Sequence, residues 1–149
     1  MPCLKDYGYS ASGTSLNFNV TEHIDEVACK VEVKFTFGAQ QLSFDLSVLC
    51  DDVRSFTSLL SDHWEYILQH SPWDSTEPAF SITIAEIKAE IAKEYDQPLY
   101  RIYFWVDSGE INKSRSTRTG VGISIVQQKD SIYNFAKAIN KQFEERYSS

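Results

Sequence analysis

Three stretches place an apolar side chain at every second position: SLNFNV (15–20), VACKVEVKFTF (27–37) and QLSFDLSVLC (41–50). Leu16, Phe18 and Val20 share one side of the first. Val27, Cys29, Val31, Val33, Phe35 and Phe37 share one side of the second, with Lys30, Glu32, Lys34 and Thr36 on the other. Leu42, Phe44, Leu46 and Val48 repeat the pattern in the third. A period of two fits a half-buried strand, because successive side chains of extended backbone point to opposite faces. Gly38-Ala39-Gln40 supplies a short turn between the second and third. The N-terminal third is thus predicted to be an antiparallel meander with one face on a core and one in water.

The period then changes. Val53, Phe56, Leu60, His63, Ile67 and His70 recur at steps of three and four, which predicts one amphipathic helix, capped by Asp51 or Asp52. Pro72 and Pro78 bracket a polar loop, SPWDSTEP. TIAEIKAEIAKEY (83–95) is rich in Ala, Glu and Lys, and Thr83 with Glu86 forms a capping-box pattern. It is read as a helix, with a bulged strand as the alternative. LYRIYFWVDS (99–108) and VGISIVQQ (121–128) read as two more strands. A final helix, capped by Asp130 or Ser131, turns Ile132, Phe135, Ala136, Ile139 and Phe143 inward. The order β-β-β-α-α-β-β-α describes an α+β fold. Its mainly antiparallel five-stranded sheet carries about three helices. With 149 residues and no linker or repeat, one domain spanning 1–149 is expected.

The chain carries a net charge of −7, unevenly placed. Residues 44–98 hold eleven acidic side chains against three basic ones, whereas 111–141 hold six basic against one acidic. An acidic half repels nucleic acid and attracts basic proteins. No run of about 18 apolar residues is present to cross a membrane, and the start lacks a signal-peptide core. Three cysteines without a CxxC pair make a poor disulfide framework, so a cytoplasmic location is expected.

Few segments resemble a chemical site. GEINKSRSTRTGVG (109–122) is basic and rich in Gly, Ser and Thr, but its glycines lack P-loop spacing and it joins two strands. It reads as a hairpin tip. His23, His63 and His70 form no metal-binding spacing. Cys50, at the start of a helix, is a conceivable nucleophile with His63 or His70 as base. The adjacent Asp51 and Asp52 raise rather than lower its thiol pKa, so a structural role is favoured. Residues 62–78 mix aromatic anchors with carboxylates, a composition suited to a protein interface. As a helix, 83–95 aligns Glu86, Glu90 and Glu94 as an acidic ridge. The expected partner-binding residues are therefore Asp62, Glu65, Tyr66, Trp73, Asp74, Glu77, Glu86, Glu90, Glu94 and Asp96. No catalytic residue, metal ligand or cofactor is predicted.

The three strands, the helix DDVRSFTSLLSDHWEYI (51–67) and the closing passage GISIVQQKDSIYNFAKAINKQF (122–143), in a small acidic chain, resemble immunity proteins of bacterial toxin systems, of the contact-dependent growth inhibition type. The resemblance implies a non-enzymatic inhibitor made in the cell it protects. It would bind the C-terminal domain of a cognate toxin, in many such systems a nuclease with a basic groove. The competing readings are a small hydrolase or transferase built on Cys50, and a phage-encoded inhibitor of host defence.

Overall fold

The computed structural model describes residues 1–88 and 97–147. Within them the strands are β1 (Cys3–Lys5), β2 (Thr14–His23), β3 (Ala28–Phe37), β4 (Gln40–Leu49), β5 (Trp73–Asp74), β6 (Phe80–Glu86), β7 (Leu99–Asp107) and β8 (Gly120–Gln128). The helices are α1 (Tyr9–Ser12), α2 (Cys50–Ser61), α3 (Trp64–Gln69), α4 (Ser108–Ile111) and α5 (Lys129–Tyr147). The fold is α+β, with two antiparallel four-stranded sheets, β1-β2-β3-β4 and β5-β6-β7-β8. The single five-stranded sheet expected from the sequence is replaced by this pair, and α1 and α4 add to the expected helices.

The predicted meander is present as β2-β3-β4. Gly38, at φ +63°, opens the β3–β4 turn in a left-handed conformation that glycine tolerates without Cβ strain. Leu16, Phe18, Val20, Cys29, Val31, Val33 and Phe35 are all buried. Val27, just before β3, Phe37, at its end, and Leu42, near the start of β4, depart from the expectation and are 64%, 39% and 45% exposed.

The sheets meet through phenylalanines. Phe18 on β2 lies 5.5 Å from Phe80 on β6 and 6.2 Å from Phe104 on β7, while Phe35 on β3 lies 6.2 Å from Phe104, ring centre to ring centre. Phe56 of α2 inserts among them, 5.3 Å from Phe18 and from Phe80. Edge-to-face packing of this kind adds to the burial of the rings. At the margin the sheets are joined where the Tyr7 amide donates to the Val126 carbonyl (2.7 Å) and the Val126 amide to Asp6 Oδ1 (2.9 Å).

Helix α5 lies across β2. A register shift between Val20 and Glu22 interrupts the β2–β3 ladder, and Gln142 Oε1 accepts from the Val20 amide at 2.6 Å. A bulged backbone group is thereby satisfied by a helix side chain.

Two helical expectations are corrected. The stripe from Val53 to His70 is broken at Asp62-His63 into α2 and α3, and His63 and His70 are exposed rather than on a packing face. Residues 83–86 belong to β6, paired in continuous register through Glu86 opposite Tyr100, so Thr83 and Glu86 form no capping box. Ile87, whose position breaks the alternation, falls just beyond the strand. The remainder of the proposed helix, from residue 89 to 95, lies outside the described residues.

Candidate partner-binding surface

The residues named from the sequence divide between two regions. Asp62, Glu65 and Tyr66 lie on or beside α3. Tyr66 is 53% exposed and stacks on His70 with ring centres 4.1 Å apart. Asp62 is paired with Lys137 of α5 at 3.8 Å, so part of its charge is answered within the fold. Trp64, by contrast, belongs to the core, set edge-on against Tyr100 at 4.9 Å. Trp73 is half-buried in β5 and stacks on Phe56 at 6.0 Å, closing the core instead of projecting from a loop. Asp74, on β5 opposite Ser81 near the start of β6, and Glu86, at the other end of β6, are both exposed. The acidic ridge does not form through Glu86, which is a strand residue; Glu90, Glu94 and Asp96 lie outside the described residues. The separation of charge along the sequence is also reduced in space, because Lys137 of α5 pairs with Asp62 at the end of α2.

Glu77 enters a different arrangement. A cavity of about 310 Å³ opens between the end of β4, the first turn of α2, residues 75–77 and α4. Its apolar wall is Ala28, Val48 and Leu49, and Asp52, Glu77 and Glu110 line it with carboxylates. No basic side chain lines it among the described residues. Asp52 is not the helix cap expected. Helix α2 starts at Cys50, which leaves Asp51 and Asp52 in its first turn, where the helix dipole favours negative charge. Asp52 is buried and accepts from the Thr76 amide (3.0 Å) and hydroxyl (2.7 Å), which fixes the 75–77 turn. Glu110 keeps Oε1 buried without a hydrogen-bond partner. Burial, then the neighbouring Glu77 and Asp107, push its carboxyl above the ordinary value.

Beside the cavity, the β2–β3 turn presents Ile24 and Val27, 46% and 64% exposed. Asp25 Oδ1 accepts from the Val27 and Ala28 amides at 2.7 and 2.8 Å, and these two bonds lower its pKa. The Cys50 amide donates to the Val27 carbonyl, which fixes this turn against the start of α2 and Asp51. One end of the molecule therefore offers an acidic hollow with an apolar lip.

Comparison with protein families, curated proteins and solved structures finds no match.

The basic loop is not built as a phosphate cradle, because its Thr117 and Arg118 amides are already taken. Asp107, fully buried at the end of β7, accepts from the amides of Glu110, Thr117 and Arg118 and from the Ser116 hydroxyl. Burial pushes the Asp107 carboxyl up, but these donors outweigh it and hold the group below its ordinary value. The loop crosses so close to Gly109 that a Cβ there would stand 2.0 Å from the Arg115 carbonyl oxygen. Glycine is required at that crossing.

Among the described residues no hydrogen bond joins the conceivable nucleophile, Cys50, to His63 or His70. The Cys50 and Cys29 thiols are buried and hydrogen-bonded to each other. Burial pushes Cys29 up to about 12, and burial likewise raises Cys50. His63 follows the far end of α2, roughly 18 Å along the helix from Cys50 at 1.5 Å per residue. His70 turns its Nδ1 to the Tyr66 carbonyl (3.0 Å). Among the described residues no group of His, Cys, Asp and Glu is arranged to hold a metal ion, and no helix is long and apolar enough to cross a membrane.

Sequence reasoning identified Glu77 but missed Glu110 and the role of Asp52. Glu110 carries no local signal, since its burial arises from packing of α4 against β4. Asp52 had one: an aspartate beside an apolar helix stripe, followed by the hydroxyl-rich DSTEP segment.

Proposed function

We propose that this chain is a protein-binding inhibitor of the immunity type, acting in the cytoplasm on a basic partner such as the catalytic domain of a cognate toxin. The observation that carries this reading is the acidic cavity. Asp52, Glu77 and Glu110 converge on about 310 Å³ with no described basic side chain to neutralise them. A lysine or arginine of the partner would pair with the exposed Glu77. Ile24 and Val27 would supply apolar contact at the rim. The net charge of −7 favours encounter with a basic surface, and it does so most strongly at low salt. Free Cys3, Cys29 and Cys50 suit a reducing compartment.

The test is co-purification with the product of the adjacent reading frame, followed by growth of cells expressing that product. The expected result is a basic protein bound in a stable complex and a toxicity that this chain relieves. Glu77→Lys should weaken the complex by about tenfold or more. A partner that is acidic, or one bound equally well by Glu77→Lys, would contradict the proposal.

A further inference from the structure

We propose that the 112–119 loop is a second docking element, built to present Arg115 and Arg118 to a short run of carboxylates on a protein partner. This inference concerns the loop beside the acidic cavity rather than the cavity itself, and it rests on three observations about the loop.

The first is its fixed shape. The Asp107 carboxylate holds the Thr117 amide at 3.0 Å, the Arg118 amide at 2.7 Å and the Ser116 hydroxyl at 2.9 Å. The Thr119 carbonyl accepts from Ser108 at 2.6 Å, and the Gly109 carbonyl accepts from Ser114 at 2.8 Å. A loop held from its base in this way loses little conformational freedom on binding. The second is backbone strain. Lys113 and Arg118 adopt φ of 59° and 58°, a region that glycine would occupy at lower cost. The chain places long cationic side chains there instead.

The third is the electrostatic state of the tip. Arg115 and Arg118 are exposed, and neither side chain has an ion pair or hydrogen bond among the described residues. The two carboxylates at the base are turned inward, Asp107 fully and Glu110 through its buried Oε1. The outer side of the loop is therefore cationic, although the molecule as a whole is anionic.

The partner chemistry follows from that contrast. A guanidinium matches a carboxylate through two parallel hydrogen bonds. A long polyanion such as nucleic acid would bring its dense charge against a chain of net charge −7. A few carboxylates would meet the loop alone, since charges beyond about 8 Å are screened at physiological salt.

The experiment is fluorescence anisotropy on the full chain with three labelled probes: a Glu-rich peptide, its Gln counterpart and an oligothymidylate of equal length. The expected result is salt-sensitive binding of the Glu-rich peptide, with little for the other two. The double variant Arg115→Ala/Arg118→Ala should lose about tenfold or more in affinity, while Arg101→Ala, on the outer face of β7, should match the parent. Asp107→Asn keeps both arginines but loosens their support, and it should weaken binding while circular dichroism stays native. Equal binding of the Glu-rich and Gln peptides, or full affinity in the double variant, would overturn the proposal. Tighter binding of oligothymidylate that depends on the same arginines would assign the loop to nucleic acid instead.

Discussion

Oδ2 of Asp107 lies 2.7 Å from the amide nitrogen of Arg118, so a fully buried carboxylate eleven residues upstream sets the conformation of a cationic loop tip. Replacing Asp107 with Ala leaves the Thr117 and Arg118 amides without their acceptor and is expected to cost about 2–4 kcal/mol. The loss also depends on pH. The folded-state carboxyl titrates below its unfolded value, so its contribution is full above the ordinary carboxylate range. It declines as pH falls through the unfolded value toward the folded one. Urea unfolding of the parent and Asp107→Ala at several pH values should give curves that converge at low pH.

Glu110 has the opposite sign. Its carboxyl is raised by burial and by Glu77 and Asp107, so ionisation opposes folding. That penalty is complete above the folded pKa and absent below the ordinary one. Glu110→Gln is therefore expected to stabilise the protein by about 1 kcal/mol at neutral pH, with the gain shrinking in acid. Thermal melts at pH 7 and in mild acid would check this, and destabilisation at pH 7 would contradict it.

Phe18 is the ring on which both sheets and α2 converge, with contacts to Phe56, Phe80 and Phe104. Phe18→Ala opens a cavity at that junction and is expected to cost about 3–5 kcal/mol. Phe37→Ala, at the exposed end of β3, should change stability by less than about 0.5 kcal/mol. Chemical denaturation distinguishes the two directly.

Thiol chemistry should separate the cysteines. Cys3 is exposed, while Cys29 and Cys50 are buried with raised pKa values. One thiol equivalent is expected to react rapidly with an aromatic disulfide reagent at neutral pH, and the other two only on unfolding. Fast native-state reaction of Cys50 would revive a nucleophilic role for it.

The β2-β3-β4 meander was legible because both determinants of a strand, alternation and a turn glycine, are local. Strand β6 was not. Ala85 and Glu86 are helix formers, and pairing with β7 overrides their propensity. β1 and β5 are too short to display a period. The break at Asp62-His63 carries neither Gly nor Pro, so the apolar stripe runs through it unmarked in the sequence. The site was less legible than the fold. Charges separated along the chain are brought together by helix packing, as in the Lys137–Asp62 pair, and the acidic cavity emerges from tertiary contacts that join Asp52, Glu77 and Glu110.

The acidic cavity can be addressed directly by following backbone amide shifts during titration with N-acetyl-arginine amide. Saturable shifts are predicted at Ala28, Thr76, Glu77 and Glu110, absent with the glutamine analogue and weakened about tenfold in Glu77→Gln. Shifts scattered over the surface, or unchanged in Glu77→Gln, would contradict the assignment of this cavity to a basic side chain.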